Sequence, residues 1–241
     1  MYSKIIKIGA SCNNNCYFCF EDHNEYPIDF DLIKKELEKG RREKCEQIIF
    51  TGREPSVVEK IIDLVEYAKQ LDYKVIQLMS NARIFSYQKF TEDIIKAGLT
   101  ELIVPVYHYK EGIHDQITGV KGSWAQTIRG IDNVVKFSAE NSPYFNVLVS
   151  AGVVICKENL NDLNEIIDFL KQKGIKQIFI INNKILEINN LNEYLLKLKF
   201  CLGSNDSLIY LVGFKKMPVD LEKYSYENFI QLNKEKILLP K

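Results

Sequence analysis

A chain of 241 residues is enough for one large domain or two small ones. Lys plus Arg and Asp plus Glu number 32 each, so the net charge is zero, which argues against nucleic acid held on a broad basic surface. No apolar stretch approaches the roughly twenty residues that span a bilayer, and neither a low-complexity segment nor a fixed-period repeat is present.

Strand-like and helix-like runs alternate along the chain. Residues 4–10 read as a buried strand that leads straight into a loop of Asn and Cys. Asp29 or Asp31 can cap a helix running to about Lys39, with Gly40 as its stop. Residues 47–51 form the next strand, which ends in Gly52, Arg53, Glu54 and Pro55. Pro55 suits the first turn of a helix. Val58, Ile61, Ile62, Val65 and Ala68 then recur at helical spacing. Residues 74–79 are strand, followed by Ser80, Asn81, Ala82 and Arg83. Phe90, Ile94, Ile95 and Ala97 predict a helix closed by Gly98. Strands over 102–107, 145–155 and 177–181 alternate with helices over 123–137 and 160–170. Residues 208–214 are a candidate extra strand. Six strand-then-helix units imply an α/β protein with a parallel sheet and right-handed crossovers. In such sheets active residues gather at the carboxyl ends of the strands.

The densest signal is Cys12-x3-Cys16-x2-Cys19, three thiols within eight residues. Thiolates are the usual ligands of iron–sulfur clusters. Three of them leave one iron of a four-iron cubane open to a small molecule. Structural zinc normally takes four protein ligands, and no second cysteine pair exists, although His23 could complete a Cys3His site. Cys45, Cys156 and Cys201 are isolated. No signal peptide precedes the motif, because Met1-Tyr2-Ser3-Lys4 runs directly into the first strand. A cytoplasmic protein with reduced cysteines is therefore expected.

With Phe18 just before the last cysteine, this motif resembles the signature of the radical S-adenosylmethionine (radical SAM) enzymes. Gly52-Arg53-Glu54-Pro55 at the end of the second strand is similar to the family's G-G-E-P motif. Arg53 replaces the second glycine, which is tolerable where the backbone keeps φ negative. The resemblance covers roughly residues 4–185. It implies a partial, open (β/α)6 barrel over residues 1–200, with residues 201–241 as a short extension packing on the barrel or capping its mouth.

The resemblance also implies the site. Cys12, Cys16 and Cys19 would hold a [4Fe–4S] cluster whose fourth iron chelates S-adenosylmethionine. Reductive cleavage would give a 5′-deoxyadenosyl radical that abstracts hydrogen from a substrate. Gly52, Arg53, Glu54 and Pro55 would line the methionine end, through backbone carbonyls or the Glu54 carboxylate, which could instead be structural, holding a loop or a salt bridge. Ser80 and Asn81 would lie near the methionine carboxylate, and Arg83 could pair with it or be a surface arginine. Phe18 would set its ring or backbone against adenine, or serve as a core aromatic. Tyr107 and His108 would reach the ribose, and backbone groups at Asn182 and Asn183 the adenine. Residues 114–123 resemble an H-D-x-x-T-G-x-x-G-S loop of the family, read as structural, with Ser123 capping the next helix and His114 and Asp115 orienting each other. Cys156 could return a hydrogen atom to a substrate radical or be a small buried hydrophobe. One cluster is expected, with an electron donor such as flavodoxin or ferredoxin and a ribosomally made peptide or a small metabolite as substrate. A glycyl-radical-enzyme activase is the alternative enzyme, and a metal-stapled binding module the non-enzymatic one.

Overall fold

The computed structural model describes residues 2–9, 11–19, 21, 28–182 and 208–212. Seven strands form one parallel sheet in strictly sequential order: β1 (Tyr2–Gly9), β2 (Cys45–Gly52), β3 (Val75–Met79), β4 (Glu101–Pro105), β5 (Leu148–Ile155), β6 (Gln177–Asn182) and β7 (Leu208–Val212). Between them lie α1 (Phe30–Arg42), α2 (Ile61–Gln70), α3 (Gln88–Ala97), α4 (Glu111–Thr118), α5 (Ser123–Glu140) and α6 (Leu163–Gln172). Sequential parallel order with right-handed crossovers stacks helices on one face of a sheet that curls without closing, the barrel architecture expected. The extra strand exists as β7 and pairs in parallel with β6, so this part of the expected extension belongs to the main sheet. The rest of residues 201–241, with Cys201, lies outside the described residues, as do His23 and Asn183.

Alternation decides which side chains meet what. Ile48, Phe50, Ile76, Leu78, Leu102, Val104, Ala151, Val153, Ile178 and Ile180 are fully or almost fully buried, forming the core between sheet and helices. The opposite, concave face carries Ser3, Gln47 and Gln77 towards the amino ends, joined by hydrogen bonds of 2.6 and 3.0 Å. Met79, Ile103, Val154, Phe179 and Ile181 lie on the same face towards the carboxyl ends.

Two local readings need correction. Gly40 does not stop α1, which runs to Arg42 from the Asp29 cap, whose Oδ1 accepts from Leu32 N at 2.9 Å. It is a packing glycine: a Cβ there would collide with the Tyr73 hydroxyl and the Lys4 side chain, which pairs with Glu36 at 2.7 Å. Residues 114–118 are not loop but the last part of α4. Gly119, at φ +67, ends that helix. Pro55 does open a helical turn, a short 3-10 turn over Pro55–Val57, and α2 begins only at Ile61.

Candidate active site

The three cysteines follow β1 on a loop over the carboxyl edge of the sheet, and two dissimilar sets of residues hold that loop. The first set is polar and comes from the ends of β2 and β3. Glu54 is 1% exposed. Its Oε1 accepts from Ser56 N at 2.9 Å, Ser56 Oγ at 2.6 Å and Ser80 Oγ at 2.7 Å, while Oε2 accepts from Asn81 N at 2.7 Å. Burial pushes this carboxyl up from its ordinary range, and the hydrogen bonds pull it back. Asn81 passes the link onward. Its Nδ2 donates to Asn13 Oδ1 at 2.6 Å and lies 3.9 Å from Cys12 Sγ. Thr127 Oγ1 fixes the Asn81 carbonyl at 2.9 Å. Arg83 donates to the Asn13 carbonyl, to Asn14 Oδ1 at 2.9 Å and to Gln126 Oε1 at 2.7 Å.

The second set is apolar and comes from the ends of β4 and β5 and from α4. Phe18, Tyr107, Ile117 and Cys156 form a separate buried cluster against which Cys16 packs. Phe18 and Tyr107 meet edge to face, with centroids 5.2 Å apart. The Tyr107 hydroxyl lies 3.8 Å from Cys16 Sγ. Asn159, fully buried, ties this region together. Its Nδ2 donates to the carbonyls of Tyr107 and Val154, and its Oδ1 accepts from Cys156 N. The loop is also pinned from α4, where Asn15 N donates to the Thr118 carbonyl at 2.8 Å.

The thiols suit an iron–sulfur cluster. Burial pushes the Cys12 thiol up and the Cys16 thiol to about 11, and the form that ligates a metal is the thiolate. The donors aimed at the sulfurs are hydrogen-bonding groups: Asn14 N reaches Cys12 Sγ at 3.3 Å, beside the Asn81 amide and the Tyr107 phenol. No three His, Cys, Asp or Glu among the described residues gather round a single ion point. A cubane instead assigns one thiolate to each iron.

The Radical SAM superfamily model matches residues 6–170. The chain belongs to the radical SAM superfamily. Members of that superfamily use a [4Fe–4S] cluster and S-adenosylmethionine. Curated relatives include "Probable GTP 3',8-cyclase" of Saccharolobus solfataricus, 22% identical over 179 residues covering 73% of this chain and 55% of that protein. The protein of the same name from Sulfurisphaera tokodaii is 21% identical over 70% of this chain and 52% of its own length. The chain thus spans about half the length of the curated relatives it matches. Among solved structures, Streptococcus suis SuiB bound to precursor peptide SuiA superposes with TM-score 0.71 at 16% identity, covering 88% of this chain and 49% of SuiB. For anSMEcpe with bound AdoMet the TM-score is 0.66 at 17% identity, over 87% and 64% of the two chains. These likenesses show the radical SAM fold.

Several expected contacts are redirected within this radical SAM site. The Glu54 carboxylate is consumed by four protein donors. Gly52 sits at φ +121, where only glycine is unstrained, whereas Arg53 keeps negative φ. Ser80 and Asn81 are buried and spend their polar groups on Glu54 and the cluster loop. Arg83 is neither a surface residue nor free for a carboxylate, because its guanidinium staples the loop. The Phe18 ring is buried, and Tyr107 points at Cys16. Both His108 ring nitrogens are engaged: Nδ1 accepts from Lys110 N at 3.0 Å, and Nε2 meets Asp162 Oδ2 at 3.2 Å. Cys156 is fully buried, and burial pushes its thiol to about 11; a hydrogen donor to a substrate radical needs access it lacks. Asn182 ends β6, half-buried and level with Ile155.

His114 and Asp115 do not orient each other. His114 Nδ1 accepts from Tyr107 N at 3.3 Å. Asp115, rather than Ser123, caps α5: it accepts from Gly122 N at 2.5 Å, Ser123 Oγ at 2.9 Å and Trp124 N at 2.8 Å. Asn13, Asn159, Gln126 and Thr127 were not singled out from sequence. The Asn run inside the cysteine motif is the one local hint, since short amides there can bond backbone and neighbours alike.

Proposed function

We propose that this chain is a radical initiator acting on a peptide, with the hydrogen taken from an apolar residue. The observation that carries the initiator reading is the three-thiol loop, fastened to the strand ends through Asn13, Asn81 and Glu54. When bound, the cluster and S-adenosylmethionine supply a 5′-deoxyadenosyl radical, fed by a small one-electron donor such as flavodoxin or ferredoxin. The protein's part is placement: Glu54 and Arg83 fix the loop before any ligand arrives, and Phe18 and Tyr107 keep water from Cys16.

The peptide reading draws support from the concave face. Met79, Ile103, Val154, Phe179 and Ile181 make its carboxyl half apolar, with Met79 41% exposed. A nucleoside triphosphate calls for cations there. Among the described strand residues Lys7 is the cation on that face, and Glu21 holds it at 3.0 Å. SuiB has been solved bound to precursor peptide SuiA, and anSMEcpe with bound AdoMet and Cp18Cys peptide. No helix among the described residues is long and apolar enough to cross a membrane.

The test is anaerobic reconstitution followed by measurement of 5′-deoxyadenosine with reductant, S-adenosylmethionine and either a library of short peptides or GTP. About four irons per chain, slow basal release and stimulation by peptides with apolar residues are expected. Stimulation by GTP alone would overturn the peptide substrate. A protein that binds iron yet never cleaves S-adenosylmethionine would overturn the initiator and leave a binding module.

A further inference from the structure

We propose, building on the initiator reading above, that Tyr107 tunes the reduction potential of the cluster by donating a hydrogen bond to the Cys16 thiolate. The phenol is 7% exposed, and its Oη lies 3.8 Å from Cys16 Sγ. In the thiol state sulfur carries a proton and can donate. Once Cys16 ligates iron that proton is gone, so the only hydrogen left between the two atoms belongs to Tyr107.

The phenol is held in place from several sides. The backbone N–H of Tyr107 donates to His114 Nδ1 at 3.3 Å, and its carbonyl accepts from Asn159 Nδ2 at 3.1 Å. Phe18 meets the ring edge to face at 5.2 Å, and the His114 ring leans on it at 5.4 Å. Ile117 and Cys156 complete the pocket. A donor fixed in apolar surroundings interacts more strongly than one in water. Its bond to a ligand sulfur stabilises the reduced cluster, which carries one more negative charge, more than the oxidised one. Hydrogen bonds to sulfur are among the main determinants of cluster potential. Cys12 receives comparable help from the Asn14 backbone N–H at 3.3 Å and from the Asn81 amide at 3.9 Å. On the Cys16 side the donor is Tyr107, and the loss of one oxygen atom removes it.

The experiment is a redox titration, followed by electron paramagnetic resonance, of the reconstituted full chain. Tyr107→Phe keeps the ring and should keep iron content and melting temperature while moving the potential to more negative values. Site-specific 3-fluorotyrosine at position 107 makes the phenol a stronger donor and should move it the other way. Tyr109→Phe, at a tyrosine that stacks on His108 instead, should leave it unchanged. An intact cluster with the same potential in both position-107 variants would overturn the proposal, and so would loss of iron in a folded Tyr107→Phe, which marks a support and not a tuner. If Tyr107→Phe fails to fold, the fluorotyrosine protein decides alone. Failure of the initiator reading is separately recognisable, because then the unsubstituted chain either assembles no cluster or holds one that never cleaves S-adenosylmethionine.

Discussion

The two ends of the cysteine loop are held by opposite chemistry. The Cys12 end rests on buried hydrogen bonds that run from Glu54 through Ser80 and Asn81 to Asn13, with Arg83 clamping from the side. The Cys16 end rests on rings and aliphatic carbon, with a single hydroxyl aimed at sulfur. Hydrogen bonds are directional, so the polar end can dictate position. Apolar packing excludes water, so the other end can dictate dielectric and potential. On the proposed cluster reading, a site with one iron open and three held has reason to divide these tasks.

The polar end should break most severely. Glu54→Gln places an amide N–H2 among groups that all donate, leaving buried donors unsatisfied. A loss of about 3 kcal/mol in denaturant unfolding is expected, together with poor iron uptake. A loss below about 1 kcal/mol would mean that the strand ends are fixed by something other than this carboxylate.

The apolar end should instead reveal itself through pH. Burial lowers the His114 pKa from 6.5 to about 4, so the folded protein keeps a neutral ring that accepts from Tyr107 N. Its unfolded counterpart takes up a proton at higher pH. Stability from this source is therefore present above pH 6.5 and is lost as pH falls towards 4, by roughly 3 kcal/mol in all. His114→Gln should flatten the melting-temperature profile across that window. An unaltered acid slope in the variant would place the sensitivity elsewhere.

A smaller effect is expected at the clamp. Arg83→Lys keeps the charge but cannot reach Asn13, Asn14 and Gln126 together from one planar fork. We expect about 1–2 kcal/mol of lost stability and faster protease nicking within residues 11–19. If nicking is unchanged, Asn81 alone is sufficient to hold the Cys12 end.

The same contrast explains what could be read from sequence. Strand order and helix faces were legible because period-2 and period-3.6 patterns belong to the chain itself. The cysteine loop and the Gly52–Pro55 segment were legible because their spacing is local. Roles assigned to single polar residues were not. Arg83, Tyr107 and His108 each had a plausible ligand, but every one of them found a protein partner first, and of the two readings of Glu54 the structural one accounts for its hydrogen bonds. Sequence separation hides such partners: Glu54 and Asn81 are 27 residues apart, and Arg83 and Asn14 are 69. Gly40 misled for the same reason, since the Tyr73 ring it accommodates comes from another segment.

Cys156 offers the mildest and most discriminating change. It lies between the two functions a cysteine can have here, next to Cys16 in the apolar cluster yet sealed from solvent. If it only fills space, Cys156→Ala costs about 1 kcal/mol for the small void and leaves both 5′-deoxyadenosine release and product formation intact. A hydrogen donor would behave differently, because the substrate radical would still form but could not be quenched. Then 5′-deoxyadenosine would continue to appear while product fell away. The burial of the thiol predicts the first outcome. The second would require the Phe18–Tyr107 wall to open during turnover, making the apolar end the mobile one.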